Sequence, residues 1–232
     1  MELNFKQYHF NIKRENINCI MGSGIKLEEL IDACKYVDSV ELIIQPVINQ
    51  TLYKNVEKEL TYAFEQSNHH NSTKILDSLK LVGLPSSYIN KKISSLSNSE
   101  LYLISLASLF IKNPKIIILE NPNSYLDSKN LNNFLKIIRT IKRRYKKTII
   151  IFSNDSDFVN LVSDYIFIIN NETVIKEGNK YEIFMDDQIL KKCQIKVPKI
   201  VEFEKTVLKN KGIKMAIRDN INDLIKDIYY FK

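Results

Sequence analysis

The feature that most constrains the fold is a set of short apolar runs in which hydrophobic and polar residues do not alternate. The clearest runs are "KIIIL" (115–119), "KTIIIFS" (147–153) and "YIFIIN" (165–170). Strands of this kind are buried on both faces, as in parallel sheets covered by helices. Between the first two runs, residues 128–145 have the apolar spacing of an amphipathic helix. The order of strand, helix and strand therefore predicts an α/β fold with a mostly parallel sheet.

The remaining pattern extends this order along the chain. Residues 9–21 predict a strand, a turn and a second strand, and the pattern is helical from about residue 187 onward. Ser97 followed three residues later by Glu100 predicts a capped helix start. The other predicted helices lie at 26–36, 52–66, 72–82 and 155–163, and further strands lie at 39–46 and 173–178.

Composition limits the classes of protein that are compatible with this chain. Hydrophobic residues make up 44% of the sequence, which is enough for a substantial core, and no apolar run reaches the roughly 18 residues of a membrane-spanning helix. The first residues contain no apolar signal segment, so we expect no secretion. Cys19, Cys34 and Cys193 are scattered, which favours a reducing cytoplasm. The net charge of +7 allows a weak preference for anionic surfaces, but we expect no nucleic-acid partner.

Polar residues follow three of the predicted strands: "GSG" at 22–24, "ENP" at 120–122 and "SND" at 153–155. Sites in parallel α/β sheets lie beyond the carboxyl ends of the strands. We therefore expect these three segments to lie near one another.

The stretch "ISSLSNSELYLISLASLFIKNPKIIILENPNSYLD" (93–127) resembles ATP-binding cassette (ABC) ATPases. It has the family's order of a signature loop, a helix, "NP", four apolar residues, two polar residues and a D-loop that ends in "LD". The chain is most similar to the ATPase subunits of energy-coupling factor transporters, because residues 189–214 resemble the C-terminal helices of that branch. The resemblance depends on the set of motifs, since no single motif is sufficient.

The resemblance implies an ABC-type nucleotide-binding domain with a reduced antiparallel subdomain and a helical C-terminal appendage. The expected ABC ATPase-like domain spans 1–186, with a helical signature subdomain at about 51–112, and the appendage spans 187–232. The antiparallel part is expected to be reduced because only about 20 residues separate the glycine loop from Gln45, the glutamine of the resembled Q-loop. The aromatic residue that stacks on adenine in the family falls in a missing part, and Tyr8 could substitute for it.

The phosphate-binding loop departs from the family pattern. A loop of the form GxxxxGK[ST] wraps phosphates with backbone N–H groups, contacts them with its Lys and binds magnesium through its hydroxyl. If Gly22 is the first loop glycine, the distance to Lys26 is two residues too short and Leu27 replaces the hydroxyl. If Gly22, Ser23 and Gly24 align with the family's "GSG", Ile25 occupies the lysine position. From this loop alone, an ordinary strand-to-helix turn is the favoured interpretation.

The catalytic positions that the resemblance implies have also changed. Glu120 replaces the magnesium-binding Asp and keeps its charge, so contact with Mg through water is possible. Asn121 replaces the catalytic acid, and an amide cannot act as a general base. Asn154 replaces the switch His. The resemblance assigns the remaining positions as follows: nucleotide binding at Gly22, Ser23, Gly24, Lys26, Gln45 and Glu120, a signature loop of Leu96, Ser97, Asn98, Ser99 and Glu100, and D-loop residues Ser124, Leu126 and Asp127.

Taken together, these changes predict a degenerate ATP-binding subunit of a bacterial energy-coupling factor transporter, for vitamin or metal uptake. It would hydrolyse ATP poorly or not at all, and would dimerise with an intact paralogous ATPase or with itself. A membrane T-component would dock near Gln45, Pro46 and Val47, which places the chain at the cytoplasmic face of the membrane. ATP and Mg are possible cofactors, although weak or absent binding is equally compatible.

Two alternatives remain open. The chain could be a nucleotide-independent scaffold or regulatory pseudo-ATPase, or more remotely a nucleic-acid-associated member of the family. Other polar clusters have simpler explanations, since His69 and His70 fit a solvated loop. The basic residues in 139–147 complement the dipole at a helix end.

Overall fold

The computed structural model describes residues 2–5, 8–24, 39–43, 47–67 and 74–211, and the predicted helix at 26–36 lies outside them. The strands are β1 (Glu2–Phe5), β2 (Tyr8–Asn11), β3 (Ile17–Gly22), β4 (Val40–Ile43), β5 (Ile116–Glu120), β6 (Thr148–Phe152), β7 (Tyr165–Asn170) and β8 (Thr173–Gly178). The helices are α1 (Val56–Glu65), α2 (Ile75–Leu81), α3 (Asn98–Lys112), α4 (Ser128–Tyr145), α5 (Ser156–Val162), α6 (Lys180–Phe184), α7 (Asp187–Lys192) and α8 (Lys199–Lys211).

The chain divides into two compact units. The first unit comprises Met1–Ala33 and Phe152–Lys232, and the second comprises Cys34–Ile151. This division neither confirms nor excludes the predicted boundary at residue 187, which stays a prediction.

The first unit is built around β3, β7 and β8, which are hydrogen-bonded neighbours in that order. β3 and β7 run parallel, with Asn18 opposite Tyr165 and Gly22 opposite Ile169. β8 returns antiparallel to β7, as expected for two strands joined by a tight turn. β1 and β2 form a separate antiparallel hairpin. The Phe10 ring packs edge-on against Phe167, with the ring centroids 5.5 Å apart, so a residue of the hairpin contributes to the core of this unit.

The second unit contains β4, β5 and β6 as neighbours in that order, and β4 and β5 are parallel. All five residues of β6 and the first four of β5 are buried, which confirms the prediction made from their unalternated apolar sequences. α3 is also predominantly apolar and has nine buried residues, while α4 buries one apolar face. The fold is therefore α/β with a mostly parallel arrangement of strands and flanking helices, as predicted.

Local signals in the sequence explain where the two long helices begin and end. The Ser97 side chain accepts the Glu100 N–H at the start of α3, and Asn113 ends the helix in the left-handed conformation. Asp127 caps α4, and Lys142, Arg143 and Arg144 occupy its last turn, where cations complement the helix dipole. Within the described residues, no helix is long and apolar enough to span a membrane.

Candidate functional site

The glycine segment begins at the carboxyl end of β3. Gly22 is the last residue of this strand, and Ser23 and Gly24 follow it. Of the other residues predicted to bind nucleotide, Lys26 and Gln45 lie outside the described residues, and so does Pro46.

The backbone around β7 explains why positions 22 and 24 are glycine. Gly22 has a φ of +123°, and an added Cβ would lie 1.9 Å from the carbonyl oxygen of Ile169. Gly24 has a φ of +86°, and its Cβ would lie 2.9 Å from the backbone nitrogen of Glu172. Side chains are excluded at both positions because the segment lies directly against β7 and the turn that follows it.

The Asn154 side chain is hydrogen-bonded to this segment within the first unit. Its Oδ1 accepts the Gly22 N–H at 2.8 Å, and its Nδ2 donates to the Gly22 carbonyl oxygen at 3.1 Å. The Ser23 N–H also has an acceptor within the chain, the Ile169 carbonyl oxygen at 3.3 Å. A phosphate cradle needs backbone N–H groups that point at the ligand. Here the N–H groups of Gly22 and Ser23 are donated to acceptors of the chain itself.

The residues predicted to replace the magnesium-binding Asp and the catalytic acid of the family lie at the end of β5. Glu120 is the last residue of the strand, and Asn121 follows it with φ +40° and ψ +51°. Asparagine tolerates this left-handed conformation better than most residues. The backbone at position 121 therefore favours an asparagine, whatever the chemistry of the site. Its carbonyl oxygen accepts the Ser124 N–H at 3.0 Å within the turn that begins at Pro122.

The predicted metal site at this strand end includes the carboxylate of Glu120. In the ranges that the structure describes, no three or more His, Cys, Asp and Glu side chains form a group that could hold a metal ion. Among the described residues, direct coordination by three or more such side chains is therefore not available. A single carboxylate suits Mg²⁺ only when water or phosphate oxygens supply the other ligands.

The signature segment forms the start of α3. Leu96 precedes the cap residue Ser97, and Asn98 and Ser99 are the first two residues of the helix. Ser99, which stands where the family has a glycine, donates its hydroxyl to the Tyr125 carbonyl oxygen at 2.6 Å. The predicted signature segment and the predicted D-loop are therefore hydrogen-bonded to each other within the second unit.

Glu100 is the most strongly perturbed acid of the site. It accepts hydrogen bonds from the Tyr88 hydroxyl and from the Ser97 N–H, the latter at 2.7 Å, and it pairs with Lys91 at 3.4 Å. These contacts, the Tyr88 bond first, lower the pKa of Glu100 from 4.5 to about 2. The Lys91 ammonium also lies 3.5 Å from the centroid of the Tyr88 ring.

Sequence reasoning missed Tyr88 and Lys91. They lie 12 and 9 residues before Glu100. Tyr88 belongs to a 3₁₀ turn (Ser86–Asn90) and Lys91 follows it directly. No helical or strand periodicity connects these two positions to the signature segment, so only the tertiary structure reveals the cluster.

The D-loop residues lead into α4. Asp127 caps the helix by accepting the Asn130 N–H at 2.8 Å, Ser124 is exposed, and Leu126 is partly buried. Tyr125 stacks on the buried Tyr102 with the ring centroids 5.8 Å apart. The Tyr102 hydroxyl is buried and has no hydrogen-bond partner among the described residues, and burial raises its pKa. The predicted site residues thus fall into two groups, with Gly22–Gly24 and Asn154 in the first unit and the others that are described in the second.

Comparison with known proteins was made by sequence and by structure. No family model matches the chain. The energy-coupling factor transporter ATP-binding protein EcfA3 of Oenococcus oeni is 29% identical over 213 residues, which cover 90% of this chain and 72% of that protein. EcfA2 of Mycoplasma capricolum is 27% identical over 195 residues, covering 83% of this chain and 65% of that protein. The chain therefore spans about two thirds of the length of these relatives.

Solved structures show the same fold. CbiO1 from Clostridium perfringens, part of an ABC transporter complex, has a TM-score of 0.62 at 19% identity and covers 88% of this chain and 96% of its own. An ATP-binding cassette in a dimeric post-hydrolysis state with ADP and phosphate has a TM-score of 0.60 at 16% identity, covering 74% of this chain and 88% of its own. The fold is that of an ABC nucleotide-binding domain. In sequence, the chain is similar to ATP-binding subunits of energy-coupling factor transporters.

Proposed function

We propose that this chain is an energy-coupling factor type transporter subunit that hydrolyses ATP poorly or not at all and acts with an intact ATPase partner. The observation that carries the proposal is Asn121, which directly follows the acidic end of β5. An amide cannot accept a proton from the attacking water, so the general base of the family is missing. The partner would be a paralogous subunit or a second copy of this chain, and the complex would serve vitamin or metal uptake.

The test is steady-state phosphate release by the purified chain, alone and with a co-expressed intact ATPase subunit. We expect turnover at background for the chain alone and measurable turnover only for the mixture. Turnover by the chain alone that disappears in Glu120→Ala would overturn the proposal, because it would show a working site at the end of β5.

A surface in the second unit supports docking of a membrane T-component. Val47 is buried, while Ile48, Leu52 and Tyr53, shortly after it, are 48%, 64% and 38% exposed. Nearby lies a cavity of about 130 Å³, lined by Glu41, Gln50, Glu59, Ser108 and Lys112 among others. An apolar rim beside a polar cleft fits an amphipathic helix of a partner. Such a complex would hold the chain at the cytoplasmic face of a bacterial membrane.

Leu52→Asp and Leu76→Asp form a matched pair for this part of the proposal. Leu76 is 47% exposed on α2 and serves as the control. We expect Leu52→Asp, and not Leu76→Asp, to reduce co-purification of the membrane component from the native host. Absence of any membrane component with the unmodified chain would argue against the transporter role.

The second candidate function is a nucleotide-independent scaffold. It is favoured by the Gly22 and Ser23 N–H groups, which are donated to Asn154 and Ile169 and not held open for phosphate. Calorimetry with ATP and Mg, with Glu120→Ala and Lys26→Ala as controls, separates the two candidates. Binding that both changes abolish favours a nucleotide-gated subunit. No binding at millimolar ATP, together with dimerisation that needs no nucleotide, favours the scaffold.

A further inference from the structure

We infer that the Asn154 side chain is a clamp: it holds the glycine segment (Gly22–Gly24) in one conformation without a ligand. It stands at the position where the family has a switch residue directed at nucleotide. The side chain uses both ends of its amide on one residue, accepting the Gly22 N–H at 2.8 Å and donating to the Gly22 carbonyl oxygen at 3.1 Å. A residue of a neighbouring antiparallel strand would make the same pair of bonds. The Asn154 amide thus takes the place of one backbone residue.

The residues on either side of Asn154 hold it in this position. The Ser153 N–H donates to the Ile20 carbonyl oxygen at 3.2 Å, and the Asp155 side chain caps α5 by accepting the Phe158 N–H at 3.0 Å. The backbone is therefore anchored immediately before and after Asn154. The amide is directed at Gly22 by structure on both sides of it.

The opposite side of the glycine segment is closed by β7. The carbonyl oxygen of Ile169 accepts the Ser23 N–H, and the same oxygen would lie 1.9 Å from a Cβ at Gly22. Gly24 lies against the turn that follows β7, with the Glu172 nitrogen 2.9 Å from its Cβ position. The segment is held between Asn154 and β7, so its conformation is set without a ligand. The Gly22 N–H can turn toward a phosphate only after the clamp opens.

The chain offers a direct test because it contains only five glycines, Gly22, Gly24, Gly83, Gly178 and Gly212. Labelling with ¹⁵N-glycine therefore gives at most five backbone amide signals. In the ligand-free chain we expect the Gly22 amide to be protected from hydrogen exchange, and Asn154→Ala to accelerate its exchange by about tenfold, the factor expected for one ordinary hydrogen bond. The Gly83 N–H, which donates to the Lys80 carbonyl oxygen, reports whether the variant remains folded.

Asn154→Asp sharpens the test because it keeps an acceptor for the Gly22 N–H and loses the donor to the Gly22 carbonyl. We expect intermediate exchange at Gly22. Equal exchange at Gly22 in the unmodified chain and in Asn154→Ala would overturn the clamp. So would an ATP-dependent shift of the Gly22 signal that is lost in Asn154→Ala, since Asn154 would then contact nucleotide. The ligand-free measurement does not depend on the transporter role, so the clamp and the proposed function can fail separately.

Discussion

The glycine segment of the first unit and the signature segment of the second have both departed from the ABC pattern, but they tolerate change differently. Gly22 and Gly24 lie against backbone atoms that cannot move without disturbing β7. At the start of α3, by contrast, Asn98 is exposed and Ser99 has room to direct its hydroxyl at Tyr125. The backbone excludes side chains at Gly22 and Gly24, whereas the start of α3 has room for the side chains of Asn98 and Ser99.

This difference teaches that the residues that depart from the ABC pattern have structural roles of their own. Asn154 satisfies both backbone groups of Gly22, Asn121 occupies a left-handed position that suits it, and the Ser99 hydroxyl has an acceptor. Each polar replacement has a local hydrogen-bonding or conformational role. The chain is therefore consistent with a subunit whose fold has been retained while its hydrolytic site has changed.

The largest effect is expected at Gly22. Gly22→Ala would place a Cβ 1.9 Å from Ile169 O at a φ of +123°, so we expect a loss of about 3 kcal/mol or more in the free energy of unfolding. Gly83→Ala in the second unit is the matched control, because the atoms nearest to its Cβ would be those of the Asn133 side chain, at a φ of +77°. Chemical denaturation of both variants measures the difference. Equal losses of free energy of unfolding in the two variants would show that the Ile169 backbone is no more restrictive than the Asn133 side chain.

The next effect concerns pH and Glu100. The folded-state pKa of about 2 lies below the ordinary 4.5, so Glu100 stabilises the fold above about pH 4.5 and loses this contribution as the pH falls through 2. We expect the unmodified chain to be more stable than Glu100→Gln by about 1 kcal/mol near pH 6, after allowance for solvent screening, and the gap to close by about pH 2. Urea denaturation across this range measures the gap.

Tyr88→Phe serves as the companion variant. It keeps the carboxylate and removes the hydroxyl that contributes most to the lowered pKa of Glu100. The difference in the free energy of unfolding between Tyr88→Phe and Tyr88→Phe/Glu100→Gln should then disappear at a higher pH than in the pair with Tyr88 intact. A gap that does not change with pH in either pair would show that Glu100 acts through packing and not through its charge.

A smaller effect is expected at Ser99. Ser99→Ala removes the hydroxyl that donates to the Tyr125 carbonyl oxygen, and we expect a loss of about 1 kcal/mol. Asn98→Ala is the control, since Asn98 is an exposed neighbour in the same first turn of the helix and should cost less than about 0.5 kcal/mol. Thermal unfolding of the two variants is sufficient, and a reversed order would show that Tyr125 is held by other contacts.

Much of the scaffold was predictable from sequence because local signals determine it. Unalternated apolar runs predicted β5 and β6, and the Ser97–Glu100 capping box predicted the start of α3. The predicted helix at 128–145 coincides with α4. These features depend on periodicity and on neighbours within one helical turn, which a single sequence displays directly.

The partners of the site residues were not predictable in the same way. The bonds of Asn154 to Gly22 join residues 132 positions apart, and Tyr88 reaches Glu100 across 12 positions without a shared helix. The sequence indicated which residue types had changed at these positions, but not where their side chains would find partners. For Asn121, sequence alone revealed the missing carboxylate, and only the backbone revealed the left-handed conformation.

The smallest effect is expected from restoring the carboxylate at residue 121. If Asn121 were the only obstacle to hydrolysis, Asn121→Glu would restore phosphate release. We expect release to stay at background, because Gly22 and Ser23 would still donate their N–H groups to Asn154 and Ile169. The φ of +40° should also cost a glutamate about 1 kcal/mol.

The triple variant Asn121→Glu/Asn154→His/Ser99→Gly, which restores three family residues at once, is the sharper comparison. A rise of tenfold or more in Asn121→Glu alone would show that the glycine segment is competent as it stands. The same rise in the triple variant only would place the obstacle in the replaced side chains and not in the shortened loop.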